Sequence, residues 1–449
     1  VNDGEGYPRH PFGGAAPVGG APPAATPTYP PAAPGGGPAQ LAPPPPTAGQ
    51  AAGSTGDDAG VRAVRRPGHL GSLSTGQILV AEVAVLAAVA TATRGVLPGL
   101  IAGAVALLLV TLAFARRRNR WWLEDRVIAW RYRRRRAAAV DGAEPVLAAL
   151  RTVAPGLTVR EVSAPDGARV GVARDDAGWF SVVSLTPTAP VHSEGAPVPL
   201  DALVGVLAAT EQPGVVLQLV NHTVPAPSLE VHPASPAGTS YQQLTAALSP
   251  IAVPAHRESS VSVRIDARSL AEALLDHNAD VEAAAALVAS LGRRVATSLR
   301  RLGIACRVLD TQELVDALAR SCDVEPGATG DGSPVREEWT RWHSAQLVHR
   351  TFWLRTWPSS TGAIGALFDR VAATPAAQTS VALVLDPSGD DDVAVRALVR
   401  LAARPDDDIA ALERALTESV RRLGGELRPL DGEQGPAAYA TAPTGGGAG

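Results

Sequence analysis

ILVAEVAVLAAVATATRGVLPGLIAGAVALLLVTLAFA, residues 78–115, decides the architecture of this chain. It holds two apolar stretches, about Ile78–Thr93 and Val96–Ala115, separated only by Arg94-Gly95-Val96-Leu97-Pro98. The second is long enough to cross ~30 Å of hydrocarbon as a helix. The first is shorter and contains Glu82 near its start. So short a link allows only a tight reversal, and residues 76–115 are expected to form a transmembrane helical hairpin. A carboxylate inside a span is costly and tends to face protein. Glu82 is therefore expected to meet a neighbouring helix, with Arg94 at the turn as a second polar contact; the alternative is a place near the headgroups at the start of the span.

The flanks orient the hairpin. Arg62, Arg65 and Arg66 precede it, Arg116, Arg117, Arg118 and Arg120 follow it, and Arg94 alone lies in the turn. By the positive-inside rule both ends, and the large domain that follows, lie in the cytoplasm of a plasma-membrane protein. Residues 116–137, beginning RRRNRWWLEDRVIAWRYRRRR, are expected to form a basic, aromatic juxtamembrane helix. Arg116, Arg117, Arg118 and Arg133 would contact lipid phosphates, with the rings of Trp121, Trp122, Trp130 and Tyr132 at the headgroup level. Basic residues among aromatics also suit nucleic acid. Their place beside a span favours the bilayer.

Composition excludes several classes. The 449 residues carry 40 Lys+Arg against 44 Asp+Glu, a net charge of -4 that exerts no global pull on nucleic acid. Apart from histidine every basic residue is arginine, and methionine is absent, a bias expected of a high-GC genome such as an actinobacterium's. The two cysteines, Cys306 and Cys322, lack metal-site spacing and are expected to be free thiols. Residues 1–70 are rich in Pro, Gly and Ala and are expected to be a disordered tail, as are residues 441–449.

The soluble part repeats itself. Ser298-Leu299-Arg300-Arg301-Leu302-Gly303 matches Ser419-Val420-Arg421-Arg422-Leu423-Gly424, each ending an amphipathic helix, about 281–302 and 408–423. Downstream, Arg307, Leu309 and Asp310 match Arg428, Leu430 and Asp431. Upstream, Val261–Asp266 resembles Val381–Asp386, and Ala202-Leu203 with Ala208–Thr210 resembles Ala366-Leu367 with Ala372–Thr374. The expected fold is α/β (α+β), with two repeated α/β halves at residues 138–324 and 335–440.

Candidate chemistry is sparse. Asp390, Asp391 and Asp392, after Asp386, could hold a divalent ion, although a polar turn accounts for the same residues. Asp406-Asp407-Asp408 suits a helix N-terminus. His343 and His349 find no third ligand and read as strand histidines. No nucleophile elbow or phosphate loop is present. No catalytic residue, metal ligand or cofactor site is assigned.

In order along the chain, the Arg/Trp stretch Trp121–Arg136, Gly171-Val172-Ala173-Arg174 with Gly178-Trp179, Val220–Pro227 with Tyr241, and His349-Arg350-Thr351-Phe352 with Trp357-Pro358 resemble the EccE family. These proteins are membrane-core subunits of type VII (ESX) secretion systems. The resemblance implies assembly with EccB, EccC and EccD, EccC being the ATPase, and a degenerate glycosyltransferase-like α/β domain. The expected function is a non-catalytic structural subunit. The alternative is a membrane-anchored, metal-dependent glycosyltransferase-like enzyme using Asp390 and Asp392.

Overall fold

In the computed structural model, α1 (Thr75–Ala92) and α2 (Val96–Ala113) follow each other closely, and Gly95, at φ 149°, makes the reversal. The two helices touch along their length. Gly99 permits the approach, since a Cβ there would lie 2.9 Å from the Ala92 Cα. The hydroxyls of Thr91 and Thr111 donate back to the carbonyls of Ala87 and Leu107, both at 2.7 Å, which satisfies these two polar groups within their own helices.

The structure describes residues 61–63, 69–70, 73–117, 120–137, 145–164, 166–186, 200–225, 231, 235–248, 254–274, 280–324, 335–359, 361–387 and 393–447. Most of the expected tail 1–70 therefore lies outside the described residues. Three short strands precede α1: β1 (Val61–Ala63), β2 (His69–Leu70) and β3 (Leu73–Ser74). After α2 the basic stretch is not one helix. It begins as a two-strand turn, β4 (Arg116–Arg117) with β5 (Arg120–Trp121), and becomes α3 only at Trp122–Ala137. Glu124 and Asp125 then occupy the first helical turn, where acidic groups suit the dipole.

The remaining elements build a mixed α/β domain around one large antiparallel sheet. They run α4 (Pro145–Arg151), β6 (Thr158–Ser163), β7 (Arg169–Asp175), β8 (Gly178–Leu185), α5 (Leu200–Ala208), β9 (Val215–Pro225), α6 (Pro236–Leu248) and β10 (Pro254–Ile265). Next come α7 (Ala267–Ala273), α8 (Val281–Arg301), β11 (Cys306–Val308), α9 (Thr311–Cys322), β12 (Arg336–Glu337), β13 (Trp342–His343) and β14 (Val348–Thr356). The chain closes with α10 (Thr361–Ala372), β15 (Gln378–Pro387), β16 (Val393–Ala403), α11 (Ile409–Arg422), β17 (Glu426–Pro429) and α12 (Gln434–Ala440). Strand order is β12-β13-β14-β16-β15-β9-β10-β8-β7-β6, with β11 also on β8, β17 on β14, and β1 parallel to β16.

Capping explains the helix boundaries. Asp280 accepts from the Ala283 amide at 2.6 Å to start α8, and Asp408 accepts from Ala410 and Ala411 to start α11. Asp310 and Glu313 form a reciprocal capping box on α9. Gly303 and Gly424, at φ 81° and 83°, stop α8 and α11 as the sequence pattern requires.

The connectivity of the sheet corrects one part of the repeat. β8-β10-β9 with β11 has the same arrangement as β14-β16-β15 with β17. The counterpart of β10 is thus β16, and the upstream match of Val261–Asp266 to Val381–Asp386 joins strands in different places. The matched Arg307 and Arg428 pair with Ser184 and Trp353. Carried inward from there, the register makes Val182, Ser262 and Gln218 equivalent to Thr351, Arg400 and Ser380. The approximate two-fold relating them passes through the Val220–Ala382 pair at the middle of the sheet.

Alternation sorts side chains to the two faces. Odd positions such as Val183, Leu217, Val263 and Leu383 join one apolar core with α5, α8, α10 and α11. The other face packs Phe180 and Val182 with α4, α9 and α12, and its centre is polar: Gln218, His222, Ser262, Arg264, Ser380 and Arg400 are all buried. Residues 441–447, expected to be a disordered tail, are ordered over this face instead. Three glycines let their backbone sit against the sheet; a Cβ on Gly446 would lie 2.5 Å from the Val384 side chain.

Candidate functional site

Three places carry candidate chemistry: the surface of the helix pair, helix α3, and the buried polar face. On the pair, Leu79, Val83, Leu86, Leu97, Leu100 and Leu107 are more than half exposed, a density of bare apolar surface unusual outside a membrane. Among the described residues one helix, Val96–Ala113, is long and apolar enough to cross a membrane; Ile78–Ala92 is a shorter apolar helix. Glu82 and Arg94 are both exposed and make no ion pair with each other.

Helix α3 has two distinct sides. Glu124, Ile128, Tyr132 and Arg135 recur at steps of four and three and face the domain. Arg135 clasps Glu337 with two hydrogen bonds, at 3.1 and 3.0 Å, and donates to the Gly432 carbonyl at 2.7 Å. Glu337 also accepts from the Gly435 amide at 3.1 Å. The Tyr132 ring meets Trp339 edge-on at 5.5 Å, Ile128 is buried, and Glu124 lies 3.8 Å from Arg428. Tyr132, grouped from the sequence with the headgroup-level rings, thus turns toward the domain. The opposite side presents Arg126, Trp130, Arg133 and Arg134, all exposed. The Arg126 guanidinium lies over the Trp122 ring at 5.0 Å, and that of Arg134 over Trp130 at 5.5 Å. Arg116, Arg117 and Trp121 lie in the β4–β5 turn, and Arg118 lies outside the described residues.

The buried face carries hydrogen-bonded networks, in which Arg264 Nη1, Ser262 Oγ and His349 Nδ1 have no hydrogen-bond partner among the described residues. Arg264 pairs with Asp175, donates to the Thr444 carbonyl at 2.8 Å and covers Phe180. Asp175 also accepts from the Tyr439 hydroxyl at 3.0 Å; burial, then this carboxylate, raises the tyrosine's pKa well above its usual value. The Gln218 amide oxygen accepts from Thr444, Gly445 and Gly446 amides, and its nitrogen donates to the Ala440 carbonyl at 2.7 Å. Arg400 donates to the Ser321 carbonyl and to the Ser380 hydroxyl, which also bonds His222 at 2.9 Å. Beyond it, the Ser344 hydroxyl joins the Asp323 carboxylate at 2.5 Å and the His349 ring at 2.8 Å.

That last trio has the residue types of a nucleophilic triad in the wrong order. The hydroxyl sits between carboxylate and imidazole, so the carboxylate cannot orient the imidazole as a base. Burial also lowers the pKa of His349, keeping the ring neutral. The cluster ties β13 and β14 to the left-handed C-terminus of α9, where Asp323 has φ 50°.

His222 is held neutral down to about pH 3, chiefly by burial and then by the Arg400 charge. Its unfolded value is 6.5, so the unfolded chain binds this proton first as pH falls. The contribution is complete above pH 6.5 and is lost as pH drops toward 3, at about 1.4 kcal/mol per pH unit. His222→Asn is expected to flatten the pH dependence of denaturant unfolding between pH 7 and 5 by that slope. A variant as pH-sensitive as the parent would contradict the assignment.

Among the described residues, the sequence-derived metal candidates are not brought together. Asp390, Asp391 and Asp392 lie outside the described residues, and Asp386 lies next to the end of β15, its pKa raised by burial against the opposing charge of Arg396. His343 and His349 lie on neighbouring strands, β13 and β14, and are not paired across them. No group of three potential ligands occurs among the described residues. Both cysteines are free thiols. The buried network itself was missed because Ser260, Ser262 and Arg264, alternating with Val261, Val263 and Ile265, read like a solvent-facing edge of the pleat.

The described residues thus combine one helix long and apolar enough to cross a membrane, a two-sided basic helix and a large mixed α/β domain. Residues 253–354 match the family model described as "Putative type VII ESX secretion system translocon, EccE", and the family resemblance of the sequence is thereby shown on that stretch. The stretch runs from β10 to β14 and contains Arg264, Asp323, Glu337, Ser344 and His349. No curated protein matches. Among solved structures, glycopeptide hexose oxidase DBV29 complexed with teicoplanin is similar at 10% identity and a TM-score of 0.22, covering 60% of this chain. The chain spans 55% of that protein's length, and so low a score carries no argument about function.

Proposed function

We propose that the protein is a non-catalytic structural subunit of a type VII secretion membrane complex. In this reading α1 and α2 cross the plasma membrane as a two-span hairpin, with both flanks and the domain in the cytoplasm. The observation that carries it is the family match combined with how the helix pair is tethered. β1, before the pair, adds to β16, and α3, after it, is clasped by Glu337. Both flanks therefore return to the same domain, as a hairpin requires. Glu82 and Arg94, exposed on the pair, supply polar contacts to neighbouring helices, and the stretch from Arg116 to Arg133 lies at headgroup level. The two halves of the domain brace EccB-, EccC- and EccD-type partners.

Purification of the tagged full chain in mild detergent is expected to recover the other membrane-core subunits. Glu82→Leu is expected to lower that recovery several-fold without changing the chain's own abundance. Recovery of the chain alone, under conditions that keep the remaining subunits together, would sink the proposal.

A further inference from the structure

Helix α3 is fixed on one side and bare on the other. The clasp of Arg135 on Glu337 and the Tyr132–Trp339 contact prevent the helix from rotating. Arg126, Trp130 and Arg133, at steps of four and three, must therefore point away from the domain, with Arg134 beside them. Among the described residues none of these three arginines has a carboxylate partner, in a chain whose exposed arginines elsewhere commonly do. Two guanidinium groups lie over tryptophan rings, a contact that uses a guanidinium face and not its N–H donors. Trp130 is 60% exposed, and the neighbouring Val127 adds apolar surface at 44%. Only the β4–β5 turn separates this face from the end of the apolar helix α2.

We infer that the outer face of α3 is a docking surface for anionic phospholipid, with phosphates seated on Arg126, Arg133 and Arg134 and Trp130 inserted beside them. The inference rests on the reading of α1–α2 as membrane-spanning. Planar guanidinium groups bind phosphate through paired donors, and a tryptophan ring suits the boundary between headgroup and acyl chain. Because α3 cannot turn on the domain, lipid at this face also sets the tilt of the whole sheet against the bilayer. A nucleic acid could stack a base on Trp130 but would leave Val127 and the adjoining apolar helix α2 without a role, so lipid accounts for more of the surface.

The test uses the full chain in nanodiscs of phosphatidylcholine mixed with phosphatidylglycerol. Lipid retained by the released protein is counted by native mass spectrometry. The wild type is expected to retain phosphatidylglycerol preferentially, and R126Q/R133Q/R134Q to lose about fivefold in that preference per arginine. The corresponding lysine variant is expected to keep most of it. The fluorescence difference between wild type and Trp130→Phe should be quenched by phosphatidylglycerol brominated near the headgroup. Equal retention by wild type and the glutamine variant overturns this inference alone. So does preferential binding of an added oligonucleotide by the same face. A chain that fails to enter the discs overturns the spanning reading and this inference with it.

Discussion

Asp175→Ala is expected to destabilise the domain by about 3–5 kcal/mol, because it strands the Arg264 guanidinium in the interior. Both side chains are nearly inaccessible, at 3% and 5%. One carboxylate oxygen of Asp175 accepts from the Ala177 and Gly178 amides, and the other meets Arg264 and Tyr439. Alanine therefore removes the acceptor for four donors on three elements. Urea unfolding of the detergent-solubilised full chain, followed by tryptophan fluorescence, measures the loss. Tyr439→Phe should cost only about 1 kcal/mol, since it removes one hydrogen bond and no charge. A double variant, Asp175→Leu with Arg264→Met, should recover much of the stability, because no charge is left unpaired. A loss below 1 kcal/mol for Asp175→Ala would mean that water reaches the site.

Gln218→Ala is expected to release residues 444–446 from the sheet. Its amide oxygen is the shared acceptor of three consecutive backbone N–H groups, at 3.1, 2.6 and 2.9 Å. A buried donor without an acceptor costs about 1–3 kcal/mol, so three together approach or exceed about 3 kcal/mol. The segment can escape that penalty by leaving the surface. Amide hydrogen exchange at Thr444, Gly445 and Gly446 should then accelerate by roughly a hundredfold or more, the factor that ~3 kcal/mol implies. Exchange in β10 should change far less. Unaltered protection of these amides would mean that the glycines, rather than Gln218, hold the segment.

Local signals in the sequence were legible where local physics sets the outcome. The long helices end at Gly303 and Gly424 because only a residue tolerant of positive φ continues the chain there. α2 follows from uninterrupted apolar residues, and the repeat at the ends of α8 and α11 survives in the topology. Long-range partners decided what was not legible. The glycines after Thr444 resemble a solvated tail until Gln218 and Arg264, over two hundred and about 180 residues earlier, are placed beneath them. Arg135 looks like one arginine among many, and only Glu337 distinguishes it. The match of Val261–Asp266 to Val381–Asp386 failed because β15 and β16 are neighbouring apolar strands of similar length, and local sequence does not say which of them takes the place of β10. Within α3, composition marks the basic and aromatic character, whereas the division into two sides depends on which residues meet the domain.

The parallel pairing of β1 with β16 has a consequence for how the chain is made. Val61 meets Val393, so β1 leaves the ribosome more than three hundred residues before its partner. At ~5–20 residues per second, β1 waits roughly 20–60 s for β16 to exist. On the proposed topology the α1–α2 pair would already sit in the bilayer during that interval. Arrival of β16 would then fasten the leading flank of an inserted anchor to the sheet, while α3 holds the following flank through Glu337. Biogenesis is thereby ordered: insertion of the helix pair precedes the pairing of β1, so a product that stops before β16 is left with β1 unpaired.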